Sequence, residues 1–330
     1  MKIAFYEIND WEKELIKKEL ASHELVFFYE TLNNENIQTD ADIVSVFIYS
    51  NINTEKLKEF ECLKMIVTRS AGFDHIDLNE CEKKGITVTR VPSYGDNTVA
   101  EHTFALILSI SRNIHRSYVK SLKNDFSIEG LKGFDLKGKT LGVIGAGKIG
   151  LHIIRMAKGF GMDVIAFDVN QDPFLEEVLG FKYVSFDDIL TRSDILSLNV
   201  PHNEHTHHLI NSGNIEKIKK GAVLINTSRG GVVETDALIK AIDNGIISGA
   251  GLDVIEGEEL IKEEKQVIHD ENKPEEIQTL TKDHKLLNKE NVVYTPHIAF
   301  YSQEALERII NTTIENIKSF TKGETKNIVK

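Results

Sequence analysis

Short apolar runs, rich in β-branched and aromatic residues, alternate with amphipathic segments along most of the chain. Segments with helical spacing, such as 10–20 and 54–60, separate the first of these runs. Four runs in this part are predicted strands: KIAFYEI (2–8), ELVFFYE (24–30), DIVSVFIYS (42–50) and LKMIVTRS (63–70). Such alternation is typical of parallel sheets covered by helices. It predicts an open, doubly wound α/β sheet.

A second series of strands and helices begins at Lys139. Its predicted strands are LGVIG (141–145), DVIAFDV (163–169), ILSLNV (195–200), AVLINTS (222–228), SGAGLDV (248–254) and VVYTP (292–296). The fold class is therefore α/β, with two doubly wound parallel-sheet domains. A chain of 330 residues is long enough for two domains of ordinary size.

Two long helices are expected outside this alternation. Thr98 and Glu101 form a T-x-x-E capping box, which predicts the start of a domain-linking helix whose apolar residues continue to Ile114. An amphipathic helix after Pro296, ended by Gly323, has the apolar spacing to pack back on the first domain. The charged stretch 256–290 is predicted to be mainly solvated loop or surface helix.

The charge balance limits the partners of this protein. Lys and Arg number 39 against 51 Asp and Glu, a net charge of −12, so the chain as a whole repels polyanions. Nucleic acids and anionic membranes are therefore not expected partners. An anionic substrate has to be held by a local positive group.

The localisation expected is cytoplasmic. The two cysteines, Cys62 and Cys81, show neither CxxC nor zinc-type spacing, as expected of reduced thiols. The first twenty residues lack the long apolar region of a signal peptide. The longest apolar stretch, 104–110, is too short to span a bilayer.

A glycine-rich loop is the strongest chemical motif. The sequence Gly145-Ala146-Gly147-Lys148-Ile149-Gly150 follows a predicted strand and opens a helix, which is the context of a dinucleotide-binding turn. Asp168 ends the next strand, where a carboxylate binds the adenosine ribose hydroxyls and repels a 2′-phosphate. No Arg or Lys occurs in 169–172. The motif predicts NAD rather than NADP.

Three polar residues follow strands of the second series. Arg229 comes after AVLINTS, Glu258 shortly after SGAGLDV, and His297 after VVYTP. Because ligands bind beyond the carboxyl ends of parallel strands, we expect these side chains to converge. Arg229 suits a bidentate carboxylate clamp, His297 is a proton donor near neutral pH, and an adjacent carboxylate favours the imidazolium.

Each residue also has a simpler structural interpretation: Arg229 as a surface ion pair, Glu258 as one charge of an acidic loop, His297 as a packed histidine. Their joint occurrence after a dinucleotide loop favours reduction of a keto acid. A metal site built from His202, His205, His207 and His208 is an alternative, but no metal is predicted.

Seven motifs in order make the chain resemble the NAD-dependent D-2-hydroxyacid dehydrogenase family over nearly its whole length. They are GFDHIDL (72–78), VPSYGDNTVAEHTFALIL (91–108), GKTLGVIGAGKIG (138–150), LNVPHNEHTHHLI (198–210), INTSRGGVVETDAL (225–238), GLDVIEGEE (251–259) and TPHIAFYS (295–302).

The resemblance implies a flavodoxin-like substrate domain, residues 1–98 with 297–330, and a Rossmann NAD-binding domain, residues 99–296. It implies a homodimer formed through the cofactor domain. Arg229, Glu258 and His297 match the family's catalytic residues. The residues expected to contact the substrate are Ala71 and Gly72, through their backbone amides, with Tyr94, Arg229 and Tyr301. Those expected at the cofactor are Thr98, Gly145, Gly147, Lys148, Ile149, Gly150, Asp168, Val200, Pro201, Thr206, Thr227, Ser228, Arg229, Asp253 and His297.

Within the family, Tyr94 and the pair Phe300-Tyr301 look most like the D-lactate dehydrogenase branch, which implies pyruvate as the keto acid. Tyr94 as a packing aromatic is an equal alternative. Larger branched or aromatic 2-keto acids, glyoxylate or hydroxypyruvate also stay open. Phosphoglycerate would require basic residues in addition to Arg69. An NAD(H)-sensing binding protein on the same scaffold is the alternative from another functional class.

Overall fold

The computed structural model describes residues 1–258 and 274–329, with backbone only for 274–278. The chain divides into two compact units, Met1–Tyr94 with Tyr301–Lys330, and Gly95–Phe300. These boundaries lie a few residues from those expected at 98 and 297. The linking helix starts earlier than the capping box indicates, and residues 297–300 are held by the second unit.

The first unit contains a parallel sheet of five strands in the order β2-β1-β3-β4-β5. The strands are β1 (Lys2–Phe5), β2 (Glu24–Phe27), β3 (Ile43–Val46), β4 (Met65–Thr68) and β5 (Thr87–Thr89). Its helices are α1 (Asp10–Glu19), α2 (Thr54–Lys58), α3 (Leu78–Lys83) and, from the end of the chain, α11 (Gln303–Thr321). This strand order is the flavodoxin-like one, with the topological switch point between β1 and β3.

The second unit contains a parallel sheet of seven strands in the order β12-β11-β10-β9-β6-β7-β8. The strands are β6 (Thr140–Ile144), β7 (Asp163–Phe167), β8 (Lys182–Tyr183), β9 (Ile195–Leu198), β10 (Ala222–Asn226), β11 (Ile247–Leu252) and β12 (Val292–Tyr294). Its helices are α4 (Asp96–Ser111), α5 (Ile114–Leu122), α6 (Lys148–Gly159), α7 (Pro173–Leu179), α8 (Phe186–Arg192), α9 (Thr235–Asp243) and α10 (Pro274–Leu287), with 3₁₀ turns at Ile215–Lys217 and Gly230–Val232. Both sheets confirm the predicted α/β class.

Alternation of side chains along each strand builds a core on both faces of each sheet. Ala4 and Val44 point to one face of the first sheet, whereas Ile3 and Ile43 pack on the other face beneath α11. The last helix therefore covers the first sheet, as its apolar spacing predicts. Among the described residues, no helix has the length and apolar character to cross a membrane.

The strands are shorter than predicted because the carboxyl-terminal residues of the predicted runs leave the ladder. The run 42–50 is a strand only over Ile43–Val46, and the run 222–228 only over Ala222–Asn226. The residues that leave the ladder form the loops at the carboxyl edge of each sheet. Sequence patterns also missed the short strands β5 and β8.

Two helix predictions were wrong. The helix before the second series starts at Asp96, with Gly95 as its N-cap, so Thr98 lies in its first turn and is not the N-cap residue. It ends at Ser111 because Asn113 adopts a left-handed conformation, and Ile114 starts a separate helix with its side chain 54% exposed.

Of the charged stretch 256–290, residues 274–287 form α10, and 259–273 lie outside the described residues.

Candidate active site

Three neighbouring strands of the second sheet carry the predicted catalytic residues at their carboxyl ends. Arg229 follows β10, Glu258 follows β11 and His297 follows β12, and these strands are adjacent in the sheet. Parallel register brings their ends to the same edge. The loops that carry Arg229, Glu258 and His297, which are far apart in the sequence, therefore lie at the same edge of the sheet.

His297 and Glu258 form a close pair. Nδ1 of His297 lies 2.7 Å from Oε1 of Glu258. The side chains are 24% and 15% exposed, respectively, so the contact is largely shielded from water. Among the described residues, the buried Oε2 of Glu258 has no hydrogen-bond partner. The carboxylate therefore orients the ring through Nδ1, which leaves Nε2 as the nitrogen for proton transfer.

The backbone at His297 is held in a conformation that L-residues seldom adopt, with φ at +55°. Its N–H donates to the carbonyl oxygens of Asp253 and Thr295, each at 2.8 Å. The next two amides, of Ile298 and Ala299, donate to the Asp253 carboxylate at 3.0 and 2.9 Å. One buried aspartate therefore fixes the loop that presents the histidine.

Asp253 is 1% exposed. Burial raises the pKa of Asp253, but hydrogen bonds from His102, Thr295 and the amides of Ala299 and Ile298 outweigh it, so the net pKa lies below the ordinary value. Nε2 of His102 also lies 2.9 Å from the Thr295 hydroxyl. Asp253 was expected at the cofactor; what the structure shows is that it organises the His297 loop.

The turn that carries Arg229 is built by Asn226. The Asn226 amide donates to the Arg229 carbonyl at 2.9 Å, and its Oδ1 accepts from the N–H and hydroxyl of Ser228 at 3.0 and 2.8 Å. A Cβ on Gly230 would meet the Ile255 carbonyl oxygen at 2.0 Å. Only glycine permits this packing, which places the Arg229 turn against the segment that leads to Glu258.

The glycine loop has the space that a dinucleotide requires. Gly145 has φ +91°, and a Cβ on Gly150 would meet the Gly145 carbonyl oxygen at 2.1 Å, so both glycines are required by the turn itself. Gly147 has an ordinary φ of −73°, and nothing lies within 4 Å of the position of its Cβ. The fold does not require this glycine, whereas close approach of a pyrophosphate does.

The remaining loop residues agree with such a site. Lys148 is exposed, and it starts α6 together with the half-buried Ile149, so the helix N-terminus opens directly from the loop. The carboxylate of Asp168 accepts from the amides of Ala146 and Asn170 at 2.7 and 2.8 Å. Each carboxylate oxygen has a second lone pair, so Asp168 retains capacity for ribose hydroxyls.

Further residues expected at the cofactor lie on three segments of the same unit. Val200, Pro201 and Thr206 belong to the loop after β9, where the Thr206 hydroxyl donates to the Pro201 carbonyl oxygen. Thr227 follows β10, and its hydroxyl lies 2.9 Å from that of Thr103 on α4. Thr98 is half-buried in the first turn of α4.

The residues expected at the substrate, apart from Arg229, belong to the first unit. Ala71 and Gly72 are half-buried in the loop after β4, and their carbonyl oxygens accept from Arg90 at 3.2 Å and from Ser70 at 2.6 Å. Tyr94 is half-buried, and Tyr301 is 61% exposed. Along the chain, Tyr94 is the residue before the first crossing into the second unit, and Tyr301 is the residue after the second crossing.

Three of the loop histidines interact with one another. His202 and His207 lie 3.1 Å apart through Nε2 and Nδ1, and the rings of His207 and His208 stack with centroids 3.9 Å apart. Nε2 of His208 lies 2.6 Å from Oε1 of Glu256. In the described ranges, no three His, Cys, Asp or Glu side chains are arranged to hold a metal ion.

Sequence reasoning missed two residues that position the site, Asn226 and His102. Asn226 is a polar residue at the end of an otherwise apolar strand. His102 lies in an apolar helix, where an imidazole is unusual. Both signals are weak, because only the folded sheet places these side chains beside the loops that they hold.

Comparison with known proteins identifies the family. Residues 104–299 match the model of the NAD-binding domain of D-isomer-specific 2-hydroxyacid dehydrogenases. The D-lactate dehydrogenase of Escherichia coli is 36% identical over 332 residues, covering 98% of each chain. The glyoxylate reductase of Thermococcus litoralis is 37% identical over 292 residues, covering 86% of this chain and 82% of the relative.

A solved structure of a similar protein adds a ligand-bound example. The D-lactate dehydrogenase of Aquifex aeolicus, in complex with NAD and lactic acid, has a TM-score of 0.84 and 40% identity, covering 98% of this chain and 96% of that one. Together with the glycine loop and its open Gly147, these matches show that the chain belongs to the NAD-dependent D-2-hydroxyacid dehydrogenase family.

Proposed function

We propose that this protein reduces pyruvate to D-lactate, with NADH as the reductant. The observation that carries the proposal is the His297–Glu258 pair, an oriented and partly shielded proton donor. Arg229 at the adjacent strand end supplies the positive group that a keto acid carboxylate requires. The proposal agrees with the D-lactate dehydrogenases among the relatives.

His297 donates a proton from Nε2 to the carbonyl oxygen of the keto acid. Its Nδ1 lies 2.7 Å from Oε1 of Glu258, which accepts the Nδ1 proton in a hydrogen bond and keeps Nε2 turned towards the substrate. The strained backbone at His297 is maintained by Asp253, so the ring does not have to be ordered when the substrate binds. Glu258 orients the acid, and His297 transfers the proton.

Arg229 holds the substrate carboxylate. One N–H of its guanidinium donates to the Ser228 carbonyl oxygen at 2.8 Å, which fixes the head group. A guanidinium has five donors, so it retains the pair that a bidentate contact uses. Arg229 and the imidazolium together stabilise the negative charge that develops on the carbonyl oxygen.

The cofactor is held by the glycine loop and its neighbours. Amides at the start of α6 bind the pyrophosphate, and Asp168 binds the ribose. NADH, when bound, is the reductant of the carbonyl carbon. Thr98, Val200, Pro201, Thr206, Thr227, Ser228 and Asp253 complete the proposed lining.

The backbone amides of Ala71 and Gly72 are proposed to bind the same carboxylate, with Tyr94 and Tyr301 beside the substrate.

One observation weighs against phosphorylated acids as substrates. Arg69, the basic residue nearest to Ala71 in sequence, is 1% exposed and donates to the carbonyl oxygens of Tyr6 and Glu7. It is not free to bind a phosphate.

We further propose a homodimer formed through the second unit. Helix α5 and the segment after it expose large apolar side chains: Ile114, Tyr118, Val119, Leu122, Phe126 and Ile128. Phe126 and Ile128 are 79% and 88% exposed, which is unusual for such residues. A second copy of this chain would remove this surface from water.

We also propose a cytoplasmic location, from the sequence.

The experiment that tests the function is a substrate panel. Initial rates of NADH loss are measured with pyruvate, 2-ketobutyrate, 2-ketoisocaproate, phenylpyruvate, glyoxylate and hydroxypyruvate, with NADPH as a parallel reductant. The proposal predicts that pyruvate and NADH lead. A lead of a bulky acid or of glyoxylate would reassign the substrate. NADH binding without turnover of any acid would support the sensor alternative and overturn the proposal.

A further inference from the structure

Three loops meet at the carboxyl edge of the first sheet. They follow β1, β3 and β4, at residues 6–8, 47–50 and 69–72. The switch point of this strand order lies between β1 and β3, where doubly wound sheets open a crevice for ligands. The groups that occupy this edge therefore determine what a ligand meets.

The side chain of Glu7 fills the switch point. Its Oε2 accepts from the amide of Phe47 and its Oε1 from the amide of Tyr49, both at 2.9 Å. The hydroxyl of Ser50 donates to Oε2 as well. Two backbone amides at a switch point are groups that ordinarily bind an anionic ligand. Here a carboxylate of the chain itself takes them.

The backbone of Glu7 is fixed as firmly as its side chain. Its φ is +54°, its N–H donates to the Glu30 carbonyl oxygen at 3.0 Å, and its carbonyl oxygen accepts from Nη2 of Arg69 at 2.7 Å. Arg69 also donates to the carbonyl oxygen of Tyr6 at 2.6 Å and to the hydroxyl of Ser45 at 3.1 Å. Glu7 and Arg69 thus connect the ends of β1, β3 and β4.

The loop that Glu7 holds presents two aromatic rings. Phe47 is half-buried and Tyr49 is 51% exposed, with ring centroids 6.5 Å apart and planes at 89°. The guanidinium carbon of Arg69 lies 5.7 Å from the Phe47 ring centroid. Because β3 and β4 are neighbours, this loop is next to the one that carries Ala71 and Gly72.

We propose that Glu7 is a positioning residue for the substrate, which acts by fixing the 47–50 loop beside the amides of Ala71 and Gly72. This inference rests on the proposed function. Glu7 touches neither the substrate nor the cofactor. It sets the position of the apolar wall that the keto acid meets, and so it contributes equally to binding of the substrate and of the transition state.

Equal contribution to both states has a kinetic signature. Loss of such binding raises KM and leaves kcat unchanged. A residue that only stabilises the fold would lower the melting temperature and leave KM unaltered. The cofactor site is built by the second unit, so KM for NADH does not change in either case.

The test uses Glu7→Ala and Glu7→Gln in the full chain, with Glu14→Ala as the matched control. Glu14 lies on α1 of the same unit with its side chain 81% exposed. Glu7→Ala is expected to raise KM for the best keto acid of the panel about tenfold, with kcat within about twofold. Glu7→Gln retains one acceptor oxygen, so its KM should be intermediate. Glu14→Ala should match the wild type.

Chemical rescue sharpens the test. Formate can refill the position of the missing carboxylate in Glu7→Ala and should lower KM there, whereas in the wild type it competes with the keto acid and raises KM. Hydrogen exchange gives a readout independent of activity. The amides of Phe47 and Tyr49 should exchange about tenfold faster in Glu7→Ala than in the wild type.

The outcomes separate the inference from the function on which it rests. A wild-type protein that reduces none of the acids overturns the proposed function and the inference with it. An active wild type with an unchanged KM in Glu7→Ala overturns the inference alone. If Glu7→Ala does not fold, Glu7→Gln decides the question by the same KM and exchange measurements.

Discussion

The carboxyl edges of the two sheets use their ionisable residues in opposite ways. In the seven-stranded unit, His297 and Arg229 remain partly exposed, and within residues 1–258 and 274–329 one hydrogen bond holds each head group. In the five-stranded unit, Arg69 is buried, and the Glu7 carboxylate binds three groups of one loop. At the first edge, charged groups remain accessible to a ligand. At the second edge, they are taken up by hydrogen bonds within the unit.

This difference shows two ways in which a parallel sheet uses charged side chains at its carboxyl edge. A charge that is to act on a substrate must be oriented and still have a free donor or acceptor. A charge that organises loops must be saturated, because a buried unpaired group is costly. Under the proposed function, the first sheet leaves contact with the keto acid to backbone amides and aromatic rings.

The largest effect is expected for His297, one of the accessible groups of the seven-stranded unit. His297→Asn should lower kcat for keto acid reduction by about 10³- to 10⁴-fold, because the proton donor is lost. Steady-state rates at saturating NADH measure it. His205→Asn is the control, since the His205 side chain is 85% exposed and lies 3.5 Å from the equally exposed Glu204. A His297→Asn variant with a tenth of wild-type kcat would refute the assignment.

Asp283, a buried carboxyl group, tests whether every ionisable group of the second unit remains accessible, as His297 and Arg229 do. Asp283 on α10 is fully buried, and its oxygens have no hydrogen-bond partner among the described residues. Burial and the nearby Glu256 raise the pKa of Asp283 to about 7. Between about pH 4 and 7 the folded protein therefore keeps a proton that the unfolded chain has lost. The free energy of unfolding should fall as pH rises through this window, and the penalty persists above it.

Asp283→Asn should remove that penalty. From about pH 4 to 8, the unfolding free energy of the variant should improve relative to the wild type by about 4 kcal/mol. Urea unfolding at several pH values gives this difference. Asp187→Asn is the control, since Asp187 is an exposed partner of Lys217. Parallel pH curves for the wild type and Asp283→Asn would show that Asp283 stays ionised in the fold.

The two arginines give the most direct comparison. Arg229→Lys should raise KM for the keto acid about 30-fold without altering the melting temperature, because a lysine does not form the bidentate clamp. Arg69→Lys should lower the unfolding free energy by about 3 kcal/mol, because the buried bonds to Tyr6, Glu7 and Ser45 are broken.

Kinetics and thermal unfolding of both arginine variants decide the matter. An Arg69→Lys protein of normal stability but high KM would place Arg69 at the substrate and abolish the contrast between the edges.

The smallest effect concerns the cofactor loop. Gly147→Ala should weaken NADH binding about tenfold, because the added methyl group blocks the approach of the pyrophosphate. It should leave the melting temperature unchanged, because in the protein alone the methyl group meets no other atom within 4 Å. Gly150→Ala should destabilise the protein, since its Cβ would meet the Gly145 carbonyl oxygen. Fluorescence titration with NADH and thermal unfolding measure both. Unaltered NADH affinity in Gly147→Ala would show that the pyrophosphate does not approach this glycine.

Prediction from the sequence succeeded where a local pattern has one physical meaning. Alternation of strands and helices indicated two parallel sheets, and the loop from Gly145 to Gly150 indicated the dinucleotide turn. The pattern was less reliable at element ends. Thr98 looked like an N-cap, but Gly95 takes that place, because the choice of cap depends on the path of the preceding chain. Three-residue β5 carries too few positions to show alternation.

The sequence by itself determined the fold class, the cofactor motif and the identity of Arg229, Glu258 and His297 as candidates, because each depends on residue type and near neighbours. Only the tertiary structure decided which charges are available. Arg69 and Arg229 both follow a β-strand, yet one is buried in bonds to neighbouring strands and the other is not. Burial and hydrogen-bond partners come from residues distant in the chain, so no local pattern contains them.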